Sequence, residues 1–187
     1  MGQTTKENLP QLRMVYRKPT PPQVPALPQG YRLRPYQPGD ESGWAALLNA
    51  NGELGEWNLE RVAGVLAGGL VGQFFVVGPN DLAACAGVHD VVLDGEECWE
   101  IGWVASHPGH RGRGLGALVT AAALAHALTL PARTIVLRTD DFRLPAIKVY
   151  LRLGFAPRYD HPSFPERWCL LAGHLGPGYR VKEPDSA

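Results

Sequence analysis

Cysteine is scarce in this chain. Cys85, Cys98 and Cys169 are the three present among 187 residues, and none forms a CxxC pair. An odd, scattered set excludes a disulfide framework and a cysteine-built structural zinc site, and predicts reduced thiols in or near the core of a cytoplasmic protein. Charge of one sign is also missing: 18 lysines and arginines match 18 aspartates and glutamates. That balance excludes a global field for nucleic acid or an anionic membrane, so any phosphate site must be local. There is no membrane-length apolar run, because the longest candidate, residues 115–130, is short and contains His126. The N-terminus lacks the apolar core of a secretory signal, and Lys6 stands where a myristoylation signal needs serine or threonine. What remains, with 45% hydrophobic residues, is expected to be one soluble globular domain.

Prolines 10, 19, 21, 22, 25 and 28 punctuate residues 1–29. This composition predicts a flexible N-terminal arm, although Leu12, Met14, Val15 and Tyr16 would also suit a segment wrapped over a partner subunit. The folded domain is expected over 30–172, followed by a polar tail over 173–187. Tyr31 and Leu33 alternate with arginines as in a strand, and Asp40 reads as the N-cap of a helix that Asn51-Gly52 closes. A second helix is predicted over 59–66, strands over 74–77, 82–89 and 98–106, and the longest helix over 115–130. A buried strand over 134–137, a helix ending at Leu153, and a last pair of strands over 155–159 and 167–172 complete a mixed α/β order. The connection Glu53-Leu54-Gly55-Glu56-Trp57 reads as a solvated loop with one packed tryptophan, or as a substrate lip.

Residues 99–118, WEIGWVASHPGHRGRGLGAL, carry the strongest pattern. A strand passes through a polar loop into the glycines of Arg111-Gly112-Arg113-Gly114-Leu115-Gly116-Ala117. Glycines there let the backbone approach a ligand, and the unpaired N–H groups of the following helix start favour a pyrophosphate. The same letters loosely satisfy the dinucleotide pattern GxGxxG/A, with Asp140 downstream as a ribose ligand, and a ligand-free tight turn is a further alternative. Against a dinucleotide domain, His107-Pro108-Gly109-His110 separates strand from glycines and no second βαβ half follows.

Arg111-Gly112-Arg113-Gly114-Leu115-Gly116 resembles the R/Q-x-x-G-x-G/A cofactor motif of the GNAT acyltransferase superfamily. Val104-Ala105-Ser106-His107-Pro108 is similar to that family's splayed strand, and Ala146 to Phe155 matches its A-x-x-x-Y-x-x-x-G-F signature. The resemblance covers about residues 30–172. It implies the acyl-CoA N-acyltransferase fold, a central mixed β-sheet flanked by helices. Acetyl-CoA would be the acyl-donor cosubstrate, with no metal, and an amine, as a small molecule or peptide, the acceptor. Homodimerisation is a further expectation. The donor would lie against Val104, Ala105, Ser106, Arg111, Gly112, Arg113, Gly114, Leu115, Gly116 and Ala117. Arg143 replaces an asparagine found in many members seven residues before the tyrosine; it could reach a phosphate or remain solvated.

Acetyl transfer to an amine needs a deprotonated nucleophile, a polarised carbonyl and a stabilised thiolate. The resemblance assigns Tyr150 as the acid that meets the CoA thiolate, and Glu100, eleven residues before Arg111, as the general base. A backbone N–H near Val104 or Ala105 would meet the oxyanion. Strict alternation puts Glu100 on one face with Gly102 and Val104, opposite Ile101 and Trp103. His107 and His110 lack a third ligand in sequence, which argues against a metal, and His89 and His161 read as surface residues. Trp57, Tyr159, Phe164 and Trp168 are candidates for an acceptor wall, and Lys148 and Arg152 for phosphate contact. The different-class alternative is a non-catalytic acyl-CoA-binding module of the same fold.

Overall fold

Alternating and continuous apolar runs, interrupted by glycine turns, generate seven strands and five α-helices among the described residues. The computed structural model describes residues 9–18, 20–179 and 181; the readings made of residues 1–8 and 182–187 lie outside them. In chain order the elements are β1 (Leu12–Tyr16), β2 (Arg32–Pro35), α1 (Glu41–Asn51), α2 (Leu59–Ala67), β3 (Leu70–Val77), β4 (Leu82–Leu93) and β5 (Glu96–Ser106). They continue with α3 (Leu115–Ala127), β6 (Thr134–Thr139), α4 (Leu144–Leu153), β7 (Phe155–Arg158) and α5 (Phe164–Leu175). One sheet runs in the order β2-β3-β4-β5-β6-β1-β7. One face packs on α3, α4 and α5, and the other on α1 and α2. Among the described residues no helix is long and apolar enough to cross a membrane.

Two predicted segments require correction. The proline-rich arm contains a strand: β1 pairs antiparallel with both β6 and β7, so this part of the domain begins well before Gly30. Between Pro10 and the next proline, Pro19, lie eight residues with their N–H groups intact, and Leu12 and Met14 are fully buried. Proline density sets the average of a segment, whereas pairing requires only a short proline-free window. The predicted last strand over 167–172 is instead part of α5. Phe164, Trp168, Leu171 and Leu175 recur at helical spacing and are all buried, and β1 occupies the place beside β7. Cys169 is consequently exposed on that helix, whereas Cys85 and Cys98 are buried. Asp40 stands at the N-cap of α1 without capping it; its carboxylate pairs with Arg34 at 2.6 Å.

The sheet opens at its centre. β5 and β6 run parallel, but their pairing covers only Cys98↔Thr134, Trp99↔Ile135 and Glu100↔Val136. Beyond Glu100 the β6-facing edge of β5 therefore has no strand partner. On its other edge β5 pairs Gly102 with Gly87 and Ala105 with Cys85, so Trp103 and Val104 together oppose the single residue Ala86. This is a β-bulge, with Trp103 at φ 50°, a left-handed conformation that a bulky residue adopts only when its surroundings impose it. The Cys85 thiol donates to the Trp103 carbonyl at 3.1 Å and helps hold it. The extra residue resets the alternation: Trp103 joins Glu100 on the α2 side, and Val104 turns to the α3 side. The strict alternation expected from sequence fails at this residue.

Candidate active site

The open edge of β5 faces a cavity of ≈ 490 Å³ between the start of α3 and α4. Val104, Ala105 and Ser106 form one wall, and Arg111, Gly112, Gly114, Leu115, Gly116 and Ala117 form the floor. Gly112 and Gly114 have φ of 78° and 72°, which any side chain would strain, and Gly114 is the N-cap of α3. Leu118 makes the first intrahelical bond, to the Gly114 carbonyl at 3.1 Å. The N–H groups of Leu115, Gly116 and Ala117 therefore carry the helix's uncompensated positive end. A Cβ on Gly116 would lie 3.2 Å from Ser106 Oγ, which shows how closely helix and strand approach. Arg113 is the member of the predicted set outside this lining; it donates to the Gly109 carbonyl at 3.0 Å and braces the loop.

Tyr150 enters the same cavity from α4 and is buried. Burial pushes its phenol up to about 12; Arg143 opposes that shift and Glu53 adds to it. The hydroxyl has no hydrogen-bond partner among the described residues. It is thus a neutral donor held ready for an anion. Arg152 also lines this cavity, whereas Lys148 and Arg152 both lie over the Tyr179 ring.

On the opposite side of the bulge lies a second cavity of ≈ 450 Å³. Glu100 lines it, buried, with both carboxylate oxygens taken by Arg138: Nε to Oε1 at 2.5 Å and Nη2 to Oε2 at 2.8 Å. Such a fork-to-fork pair fixes the orientation of the carboxylate and leaves it little freedom. His89 sits directly across from Glu100 in the β4–β5 register and lines the same cavity. It is 7% exposed, contrary to the expectation of a surface histidine. Burial pushes its imidazole below the ordinary value; Glu100 pulls it up and Arg138 down. Trp57 and Trp103 form an edge-to-face pair at 4.6 Å, with the Arg61 guanidinium 4.5 Å over Trp57. The loop over 53–57 packs Trp57 against the core and borders both cavities. Phe164 and Trp168 belong to the core instead.

Arg143 lines both cavities. Its guanidinium donates to the Glu53 carbonyl at 2.7 Å and pairs with Asp140 at 3.0 Å, so it ties the loop after α1 to the start of α4. It is mostly buried, with these contacts holding it between the two cavities. Sequence reasoning also missed Asn51, Glu53 and Phe142 on the first cavity and Arg61 and Arg138 on the second; none lies in a motif. His107 and His110 do meet a third group, Asp81 from the β3–β4 turn, with candidate ligand atoms within 4.8 Å. His110 is already engaged on both nitrogens, by Tyr31 at 2.8 Å and Asp81 at 2.9 Å.

A mixed sheet splayed beside a bulge, with a helix start closing the gap, defines the GNAT fold class. The chain belongs to the acetyltransferase (GNAT) family, whose model matches residues 56–155. It is similar to a mycothiol acetyltransferase of Thermobispora bispora, with 33% identity over 158 residues covering 73% of this chain and 50% of that protein. A second, from Actinosynnema mirum, is 28% identical over 145 residues, covering 72% and 48%. A solved GNAT-family acetyltransferase structure from Novosphingobium aromaticivorans aligns with TM-score 0.60 and 25% identity over 80% of this chain and 60% of that one. The chain spans about half the length of the curated relatives it matches.

Proposed function

We propose that the chain is an N-acetyltransferase that moves an acetyl group from acetyl-CoA to a primary amine by direct attack in a ternary complex. The observation that carries this reading is one cavity holding the unpaired edge of β5, the start of α3 and the Tyr150 hydroxyl. The pyrophosphate would lie at the N–H groups of residues 112–117, with Arg111 at the rim, and the pantetheine arm along Val104 to Ser106. A β5 backbone N–H near Val104 or Ala105 would meet the carbonyl oxygen as it gains charge.

The amine enters from the cavity of Glu100, Trp57 and Trp103. It attacks the thioester carbon, the C–S bond breaks, and the thiolate leaves toward Tyr150. With the phenol pushed up to about 12, well above a thiol of ordinary pKa ~8.5, full proton transfer to the thiolate is uphill. A hydrogen bond to the thiolate has no such cost, so Tyr150 stabilises the leaving group as a donor. In the acceptor cavity Arg138 is matched by Glu100 and Arg143 by Asp140, which leaves Arg61, among the described residues, as the lining cation without a carboxylate partner. This favours an amine in a neutral or anionic molecule over a polyamine. The relatives named for mycothiol make a mycothiol-related amine one arm of an acceptor screen.

The test has two stages. Thermal-shift and calorimetric titration should give saturable binding of acetyl-CoA and none of NAD(H); preference for NAD(H) overturns the donor reading. An amine panel with free-thiol detection should then identify acceptors. Tyr150→Phe should lower kcat about 10- to 100-fold, the worth of a hydrogen bond to a charged group, with acetyl-CoA affinity retained. Acetyl-CoA binding without amine-dependent thiol release would leave an acyl-CoA-binding module in place of an enzyme.

A further inference from the structure

The cavity that receives the amine contains a second titratable group, better placed than Glu100 to take a proton. Both Glu100 oxygens are occupied by Arg138. Neither oxygen is therefore free to meet an incoming ammonium. His89, its register partner, has no such commitment. Its Nε2 is buried without a hydrogen-bond partner, and so is Oε1 of Gln73, a buried residue on β3. Both atoms converge over Gly87: a Cβ there would lie 2.9 Å from His89 Nε2 and 2.6 Å from Gln73 Oε1. Gly102 serves the other side of the ring, with a hypothetical Cβ 3.2 Å from His89 Cδ2. Two glycines on adjacent strands thus leave a slot that the imidazole fills.

We propose that His89 is the base of the transfer, accepting the acceptor's ammonium proton, while Glu100 is the fixed counter-charge that stabilises the resulting imidazolium. The proposal rests on the acetyltransferase reading above. Nε2 is sealed over Gly87 with no partner of its own, so Nδ1 is the nitrogen assigned to take the proton and Nε2 carries the hydrogen of the neutral ring. The groups that face the ring are Glu100 from β5, Arg138 from β6 and the neutral Gln73 from β3. The ammonium gives one proton to Nδ1, and the free amine attacks the acetyl carbon. The tetrahedral adduct then loses its second N–H proton to the departing thiolate as the C–S bond breaks. His89 returns its proton to water. The sum is amide, CoA thiol and one released proton.

The experiment compares the native protein, His89→Gln and Glu100→Gln with two probe nucleophiles at saturating acetyl-CoA. Glycinamide is largely protonated at neutral pH and needs a base; acetohydrazide is already neutral and does not. With glycinamide, His89→Gln should lose about 10²-fold or more in kcat/KM, and the acidic limb of the pH–rate profile should vanish. With acetohydrazide the loss should be tenfold or less, and acetyl-CoA binding should be unchanged. Glu100→Gln should keep a limb, moved to lower pH because the imidazolium has lost its counter-charge. Equal losses on both probes, or a limb that survives His89→Gln and vanishes in Glu100→Gln, would overturn the proposal. Native protein that turns over neither probe defeats the acetyltransferase reading, a different result. An NMR titration of the native protein needs no turnover: the His89 ring must be neutral at pH 7 as the Nε2–H tautomer, and a charged ring there refutes the base. That measurement also decides the matter if His89→Gln does not fold.

Discussion

The two cavities on either side of β5 are made of different material. The donor side is largely backbone: an unpaired strand edge, two left-handed glycines and the first N–H groups of a helix, drawn mostly from residues 104–117 with α4 as a lid. The proposed acceptor side is made mostly of side chains: His89 and Val91 from β4, Glu100 and Trp103 from β5, Arg138 from β6, and several from α2 and the loop before it. Backbone dipoles bind a ligand common to a whole family and tolerate change in side chains around them. Side chains gathered from four elements can be exchanged one at a time, so the acceptor can vary while the donor stays fixed. The bulge at Trp103 is the divider, since it sends adjacent residues to opposite cavities.

Substitutions that strain one side and spare the other test the division. The largest effect is expected from Gly114→Val. A β-branched residue at φ 72° strains the turn by about 1–2 kcal/mol and fills the approach to the helix start. The KM for acetyl-CoA should rise about 10- to 100-fold, with little change in the acceptor KM; an equal rise in both would show the two sides are not separable. Gly87→Ala is the counterpart across the bulge. Its methyl group would displace Gln73 or His89, so kcat/KM for the amine should fall about tenfold while calorimetry shows unaltered acetyl-CoA binding. Arg61→Ala should raise the KM two- to fivefold for amines carrying a carboxylate and not for neutral ones. No selectivity between them would remove the charge argument for the acceptor.

The smallest effect is on stability. The folded His89 is depressed below 6.5, so the unfolded chain binds its proton first as pH falls. Its contribution is present above pH 6.5 and is lost below it, as pH falls toward the folded value. Thermal denaturation between pH 7 and pH 5 should show a steeper loss in the native protein than in His89→Gln. Parallel curves would mean that burial does not depress this imidazole.

The same contrast governs what was legible in the sequence. Arg111 to Ala117 and Ala146 to Phe155 are contiguous, because a helix start or one helical stripe can be specified within ten residues. Residues of both line the first cavity, Tyr150 among them. Glu100 was visible by its spacing, but its pairing was not: Arg138 lies 38 positions away and reaches it only because β5 and β6 run side by side. His89 looked like a surface histidine because β4 changes from fully buried to half-exposed just beyond it. The bulge was illegible for a simpler reason, since one extra residue in a strand leaves the composition unchanged. In α5, a six-residue window of mixed apolar residues suited a strand, and only the longer spacing from Phe164 to Leu175 reveals the helix.

The position of β1 has a consequence for how the molecule assembles. Leu12 pairs with Thr139 and Tyr16 with Phe155, so this strand closes a loop of more than a hundred residues. The slot it fills does not exist until β6 and β7 have formed, and each of these has an open edge until it arrives. Local contacts can build the hairpins of β3, β4 and β5 early, but the far half of the sheet waits for a closure of high contact order. The rate-limiting and aggregation-sensitive step of folding is therefore expected at the docking of residues 12–16.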